Sequence, residues 1–386
     1  MIPVLWLLAA AYAALTLLLW WGWQQTPTVA CEPSNVPDSP TLTVIIPVRN
    51  EADNLPRLLA DLSQQTYPHF EVIVADDAST DDTATLARTF AKTAPFRLTV
   101  LSLTDDPAVA SPKKRAIAQS IARATGMLIV TTDGDCRAGP RWLETIARFQ
   151  AQTGAKLVSG PVTFTTDGSV FGSLQTVEFA SLIGAGAATL ALGRPTMCNG
   201  ANLCYQKDAF FAVSGFAGVD HVASGDDELL MHKIAARYPD GVRFLKSRDA
   251  LVETGPHRSL GAFYRQRKRW AGKWRTYSSL FPTLLAVLVF LCNVTPLVAG
   301  LGWLTGHVPT AAMLGIVLLK LAPEWLYLGA VLAFLRKRRF LPGRSHPARR
   351  IRRRAPPGGA PRRARRPRRH QPAQHYYRRH HLPQQR

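Results

Sequence analysis

Two carboxylates one residue apart at the end of an apolar run are the side chains of this sequence best placed to do chemistry. They stand in Thr131-Thr132-Asp133-Gly134-Asp135-Cys136, directly after Met127-Leu-Ile-Val-Thr131. Separated by one small residue, Asp133 and Asp135 can share a hard cation such as Mg2+, which takes one or two protein carboxylates and completes its shell with substrate phosphates and water. The other reading of this fragment is an acidic turn facing solvent. Asp76-Asp77 closes a second apolar run, and Asp226-Asp227 reads as an acidic helix start, favoured by the helix dipole. A nucleotide diphosphate is itself anionic, so acidic residues at its site act through a bridging cation or through hydrogen bonds to base and ribose.

Such carboxylates need a scaffold that brings them together. Leu42-Thr-Val-Ile-Ile-Pro47 is a short β-branched run bounded by turn residues and predicts a buried strand. A helix from about Asn54 to Gln65, strands at Glu71 to Ala75 and Leu98 to Leu103, a helix from Lys113 to Thr125 and a strand at Met127 to Thr131 follow. This alternation predicts a doubly wound α/β sheet, whose ligands sit at the carboxyl ends of the strands, where Asp76, Asp77, Asp133 and Asp135 fall. No phosphate-cradling glycine loop follows the first strand, and Gly184-Ala-Gly186 lies in an apolar helical stretch, which argues against a dinucleotide-binding fingerprint. Five cysteines without a CxxC pair (Cys31, Cys136, Cys198, Cys204 and Cys292) argue against a disulfide framework or a structural zinc site.

The 386 residues, 47% of them hydrophobic, exclude a disordered chain. The net charge of +21 is confined to one place: residues 336–386 hold 19 Lys and Arg and no acidic residue, leaving 28 basic against 26 acidic residues before them. A generally basic nucleic-acid binder is thereby disfavoured, and no nucleic-acid partner is expected. The tail lacks hydrophobic periodicity and reads as disordered, either a lipid-binding tail or the product of a shifted reading frame. Val4 to Trp23 runs uncharged for about 30 Å of helix, enough to span a bilayer; a cleaved signal peptide is the alternative. Two more apolar stretches, about Leu280–Trp303 and Thr310–Leu335, are also long enough. Arg265, Arg267, Lys268, Arg269, Lys273 and Arg275 precede them and Arg336 to Arg339 follow, while the link at Gly306 to Pro309 carries no Lys or Arg. The positive-inside rule then puts the N-terminus outside and residues 24–279 in the cytoplasm, in a plasma (inner) membrane protein. Lys320 and Glu324, four apart in the third span, read as a mutual ion pair, with passage of a polar product as the other reading.

Taken together, Val44-Ile-Ile-Pro-Val-Arg-Asn-Glu51, Asp76-Asp77-Ala-Ser-Thr, Thr132-Asp-Gly-Asp-Cys136, Gly225-Asp-Asp-Glu228 and Gln266-Arg-Lys-Arg-Trp270 resemble, in order and spacing, the membrane-bound family-2 glycosyltransferases. The resemblance covers about Leu42 to Tyr277, and the flanking spans are similar to those of processive synthases of cellulose, chitin and hyaluronan. It implies a GT-A nucleotide-sugar domain, α/β with a doubly wound mixed sheet, at residues 41–255. Around it the expected order is an N-terminal transmembrane helix (1–24), a linker (25–40), an interfacial segment (256–279), two transmembrane helices (280–335) and the basic tail (336–386).

The resemblance further implies that Asp77, with Asp76 beside it, binds the base of a UDP- or GDP-sugar. Asp135 and Asp133 would hold Mg2+ or Mn2+ on the diphosphate, with Asp133 also near the ribose, and Lys113 or Lys114 would contact phosphate unless they form a solvated helix start. Asp227 matches the catalytic base, taking a proton from an acceptor hydroxyl, with Asp226 where the family commonly has Glu. Gln266 would orient the reacting groups, Arg269 would face the diphosphate and Trp270 would stack on the acceptor; alternatively this stretch is a basic and aromatic membrane anchor. His257 is left outside the metal set. The implied activity is metal-dependent inverting hexosyl transfer to a glycan or lipid acceptor, processive polysaccharide synthesis included. The alternatives are single transfer in the manner of ceramide glucosyltransferase-like relatives and a noncatalytic membrane scaffold.

Overall fold

The β-branched runs form strands and the segments between them form helices. The structure, a computed structural model, describes residues 1–30, 40–106, 108–272 and 281–337, without the side chains of residues 281–283. Contacts gather Met1–Arg344 into one unit, within which all of these fall. Cys31, Pro33, Pro37, Lys273, Arg275, Arg338, Arg339 and the rest of the basic tail lie outside the described residues.

The chain begins with α1 (Ile2–Gln25), followed by β1 (Leu42–Val48), α2 (Leu55–Leu62), β2 (Phe70–Asp77), α3 (Thr83–Ala91), β3 (Arg97–Leu103), α4 (Pro112–Arg123) and β4 (Leu128–Thr131). Next come β5 (Arg137–Ala138), α5 (Trp142–Thr153), β6 (Leu157–Ser159), β7 (Val162–Phe164), α6 (Val170–Ala191), β8 (Leu203–Gln206), α7 (Lys207–Ala212), α8 (Glu228–Arg237), β9 (Val242–Phe244) and β10 (Val252–Thr254). The last are α9 (Leu260–Ala271), α10 (Phe281–Leu304) and α11 (Thr310–Phe334).

Seven strands form one sheet in the order β3-β2-β1-β4-β8-β6-β9. β1 to β4 are parallel where they pair, and β8 enters antiparallel to both of its neighbours, so the sheet is mixed. The chain moves outward from β1 to β3 and then returns to the other side of β1 as β4. This puts the topological switch point between β1 and β4, beside Asp76, Asp77, Asp133 and Asp135. A small sheet, β5-β10-β7, backs the segment after β4. Just past β1 and β2, Asn50 (φ 59°) and Ala78 (φ 53°) take the left-handed conformation that costs a non-glycine residue of order 1 kcal/mol or more. Hydrogen bonds offset this: Thr80 N donates to Asn50 Oδ1 (2.8 Å) and Asn50 N donates to Ser79 Oγ (2.9 Å), tying the two loops together at the mouth of the sheet.

Among the described residues four helices, one more than the sequence reading expects, are long and apolar enough to cross a membrane: α1, α6, α10 and α11. Of these α6 is more than half buried. Its apolar character serves packing, since Tyr327 Oη donates to Ser181 O (2.7 Å), Gly184 leaves no room for a Cβ beside Tyr327 and Val331, and Gly22 of α1 lies against Ala188.

α1 and α11 end together at the domain. Trp23, 2% exposed, belongs to the same core as the sheet and meets Phe334 edge-on, with 5.4 Å between ring centroids. The last carbonyls of a helix have no partner within it, and cations are favoured there. Lys246 Nζ donates to Trp23 O (2.7 Å) and Thr26 O (3.1 Å), and Arg248 donates to Ala333 O (3.1 Å) and Phe334 O (3.2 Å). Burial pushes the Lys246 ammonium down to about 8. At the opposite ends, Gly302 packs against Met1 and Val308, and Gly315 against the Trp6 ring, so α1 and α11 are parallel and α10 runs the other way. The expected Lys320–Glu324 ion pair forms, and Tyr12 Oη donates to Glu324 Oε1 at 3.0 Å.

Candidate active site

Carboxylates at the strand ends are held by basic residues of α4. Lys113 Nζ lies 2.7 Å from Asp133 Oδ1 and 3.2 Å from Asp226 Oδ2, joining two stretches far apart in sequence. Burial opposes its charge, yet Asp133 and Asp226 hold the ammonium above the ordinary lysine range. Lys114, expected at the donor, is instead 2% exposed, and its amine donates to Val219 O (2.6 Å) and Val222 O (2.9 Å). The reason is helical phase. Lys114, Ile117 and Ile121 share one buried stripe of α4, which turns Lys113 toward the site. Asp77 is buried at the end of β2, with Arg115 Nη2 at 2.9 Å and Arg49 Nη1 at 3.8 Å; Asp76 beside it accepts from Ser79 N at 3.4 Å.

Asp135 accepts from Thr254 Oγ1 at 2.9 Å, so β10 fixes its direction. Its carboxyl is raised above the usual range, first by burial and then by Asp133; Glu51, also half-buried, is raised by burial and by Asp135 and Asp133. Among the described residues no group of three or more His, Cys, Asp or Glu is placed to hold a metal ion. Asp135, disfavoured as an anion by burial and by neighbouring Asp133, fits an ion that draws its other ligands from a diphosphate and water. His257 Nε2 is buried with no hydrogen-bond partner among the described residues.

The acidic helix start is real and precisely tethered at both oxygens. Asp227 caps α8, accepting from Glu228 N at Oδ1 (2.7 Å), while Gly200 N donates to Oδ2 (3.0 Å). Gly200 O in turn accepts from Thr131 Oγ1 (2.9 Å), so the end of β4 positions Asp227 through one backbone unit. Asp226 is raised by burial, against the lowering effect of Lys113, and raised further by Asp227.

Ser259 caps α9, accepting from Ala262 N at 3.2 Å, and the helix presents Gln266, Arg269 and Trp270 to a cavity of about 500 Å3. Asp133, Asp226, Asp227 and Lys113 line the same cavity; Asp76, Asp77 and Asp135 do not. Phe179, Leu182 and Ile183 of α6 make an apolar wall. Sequence reasoning missed Glu178 in that wall, which forms a two-point ion pair with Arg267. The Arg267 guanidinium lies 4.5 Å from the Phe263 ring centroid and 4.2 Å from that of Trp270, and donates to Gln266 Oε1 at 2.8 Å. A lone acid in an otherwise apolar 22-residue helix was the available signal. Arg115 was missed too, although it adjoins the Lys113-Lys114 pair.

Residues 43–213 match the family described as Glycosyl transferase family 2. Glycosyltransferase AglE of Haloferax volcanii is 30% identical over 190 residues, 49% of this chain and 59% of that protein. Poly-beta-1,6-N-acetyl-D-glucosamine synthase of Staphylococcus aureus is 24% identical over 273 residues, 69% of this chain and 61% of that one. The chain thus spans about three fifths of the length of these curated relatives. Among solved structures, mannosyltransferase PcManGT from Pyrobaculum calidifontis, in complex with GDP-Man and Mn2+, matches with a TM-score of 0.58 at 23% identity, over 88% of this chain and 99% of that one. The matched region contains the first seven strands of the chain and β8, with Asp77, Asp133, Asp135 and Gly200, and stops before Asp227 and α9. Residues 43–213 thus resemble the family 2 glycosyl transferases in sequence, and the chain carries an α/β, GT-A-like fold with a mixed sheet.

Proposed function

We propose that this chain is an inverting glycosyltransferase that moves a sugar from a UDP- or GDP-sugar to a hydroxyl acceptor at the cytoplasmic face of a membrane. The observation that carries the reading is the single cavity in which Asp133, Asp226, Asp227, Gln266, Arg269 and Trp270 meet. Asp227, tethered through both carboxylate oxygens, takes the acceptor hydroxyl proton as the new C–O bond forms and the bond from the anomeric carbon to the diphosphate breaks. One displacement inverts the configuration. Asp77 and Asp76 receive the base, and Lys113 and Arg269 face the leaving diphosphate. Gln266 orients the reacting groups and Trp270 stacks on the acceptor. Asp133 and Asp135 would hold Mg2+ or Mn2+, which when bound supplies Lewis-acid stabilisation of the departing diphosphate. The Mn2+ and GDP-Man held by the Pyrobaculum structure accord with that donor class.

The membrane reading takes α1, α10 and α11 as spans, with the domain at the shared end of α1 and α11. Its support is the basic character of α9 before α10, against the link at Gly306–Pro309, which has no Lys or Arg. The apolar wall of α6 favours a lipid acceptor and a single transfer over a growing polysaccharide. The test is to incubate membranes containing the full chain with labelled UDP-glucose, UDP-N-acetylglucosamine or GDP-mannose. Expected is a labelled lipid on a thin-layer plate, lost in Asp227→Asn; polymer retained at the origin would restore the processive reading. Transfer unchanged in Asp227→Asn would remove the catalytic assignment, and no transfer from any of the three would favour the scaffold.

A further inference from the structure

The segment between α7 and α8, residues 213–227, leads into the two acids of the cavity, yet no helix or strand runs through it. It bends through four left-handed residues, Ser214 (φ 55°), Gly215 (φ 49°), Gly218 (φ 83°) and Gly225 (φ 81°). Glycine adopts that conformation without strain but is also the residue with most freedom to leave it, so the path of such a segment has to be fixed by its neighbours. Phe216, 5% exposed, anchors the first half in the core, whereas none of residues 217–224 is buried.

Two ammonium groups supply the hold. Lys233 Nζ of α8 donates to Gly215 O (2.6 Å) and Ala217 O (2.9 Å), and Lys114 Nζ of α4 donates to Val219 O and Val222 O, 105 and 108 residues away. Immediately after Val222 come Ala223 and Ser224, which line the cavity together with Asp226 and Asp227. Burying an ammonium is costly unless it is hydrogen-bonded, and on the stripe that Lys114 shares with Ile117 and Ile121 an apolar side chain would fill the same space. What lysine adds there is directed N–H donors. The adjacent Lys113 holds Asp133 and Asp226, so the first turn of α4 fixes both the acids and the segment that precedes them.

We propose that Lys114 is a positioning residue for the transfer step: by holding Val219 and Val222 it sets the acceptor side of the cavity and the approach of Asp227 to the acceptor hydroxyl. This rests on the reading of Asp227 as the base, and it deepens that reading. Other contacts fix the strand-end carboxylates, Arg115 at Asp77 and Thr254 at Asp135, so loss of the Lys114 ammonium frees the loop and leaves them in place. The loosened wall then admits water. Its oxygen bonds the anomeric carbon as the bond to the diphosphate breaks, its proton passes to solvent, and free sugar and nucleoside diphosphate leave in place of the transfer product.

The test compares wild type, Lys114→Met and Lys114→Arg, using membranes containing the full chain for transfer and the purified full chain in detergent for amide hydrogen exchange. The donor is whichever of labelled UDP-glucose, UDP-N-acetylglucosamine or GDP-mannose the wild type uses. In Lys114→Met, exchange over residues 217–227 should be about tenfold faster, as for loss of a hydrogen bond to a charged group, with β1, β2 and β4 unchanged. The ratio of labelled lipid to free labelled sugar should fall about fivefold, with donor KM within about twofold. Lys114→Arg keeps the charge and its donors and should stay within about twofold of the wild-type ratio. Should Lys114→Met not accumulate, Lys114→Gln, which keeps one donating group, carries the same readouts. Unchanged exchange, faster exchange with an unchanged ratio, loosening spread over β1, β2 and β4, or a loss in Lys114→Arg as deep as in Lys114→Met would each overturn the proposal. Asp227→Asn separates it from the reading beneath: transfer that survives there removes the base and the proposal with it, whereas transfer lost there beside an unaltered ratio in Lys114→Met removes the positioning role alone.

Discussion

Replacing Glu178 by Ala tests whether α9 is held in register by a side chain that touches neither donor nor base. α9 buries none of its residues, so its attachment relies on few contacts, chiefly Phe171 against Phe263 and Glu178 against Arg267. A hydrogen bond to a charged group contributes about 1.5–3 kcal/mol. The Glu178 side chain is 39% and that of Arg267 21% exposed, so solvent screening reduces the pair to about 1–2 kcal/mol. At about 1.4 kcal/mol per factor of ten, the equilibrium constant for seating α9 should fall roughly 5–30-fold. Gln266 and Trp270, which Arg267 contacts directly, should lose their place in the cavity together. The expected result is kcat for transfer down by up to that factor, a smaller rise in donor KM because Arg269 moves with α9 while Asp77 and Asp133 stay in place, and a lower ratio of transfer to donor hydrolysis. Glu178→Asp keeps the charge and should recover part of the loss. A Glu178→Ala enzyme with wild-type kcat and wild-type partition between transfer and hydrolysis would refute the reasoning.

Asp227→Asn should lower kcat by about 10²–10⁴, the usual contribution of a general base, with donor affinity by fluorescence titration nearly unchanged; it should also cost some stability, because one of the two amide N–H donors at Asp227 would face the new NH2. Chelation by EDTA should abolish transfer, Mn2+ or Mg2+ should restore it, and Asp135→Asn should raise the metal concentration needed for half-activity; full activity in chelator would exclude the metal role of Asp133 and Asp135. Burial lowers Lys246 to about 8, so between there and about 10.4 the unfolded chain holds a proton the folded one has released, and stability rises with pH across that window. Thermal unfolding in detergent should show this rise in the wild type and not in Lys246→Met; identical profiles would mean another group is responsible.

The strands were legible because a buried parallel strand is a short β-branched run: Leu42–Val48 and Phe70–Asp77 extend the expected cores by one to three residues. The carboxylates were legible for a related reason, since parallel strands end on one side of the sheet and Asp76, Asp77, Asp133 and Asp135 all follow such ends. What was not legible depends on three-dimensional phase or on distant pairing. Lys113 and Lys114 are adjacent and chemically alike, and only the apolar stripe through Ile117 and Ile121 decides which enters the site. Glu178 and Arg267 lie 89 residues apart, and Arg115 and Asp77 38 apart, so no local pattern joins them. α6 passes the length and hydropathy test for a span, yet composition alone cannot separate a helix facing lipid from one packed against other helices.

The contacts between helices and domain also tie the apolar helices to the proposed site. Trp23 fills the domain core from the end of α1, so that core is not complete without the helix. The segment between β9 and β10 caps both α1 and α11 through Lys246 and Arg248. Eight residues after Lys246, Thr254 holds Asp135, and Glu253 pairs with Lys337 just beyond α11. One short stretch thus grips the ends of two helices and orients a carboxylate of the candidate site. A displacement of α1 against α11 is opposed by the same backbone that aims Asp135, and the position of that carboxylate relative to the ends of the two helices is set by covalent geometry over fewer than ten residues.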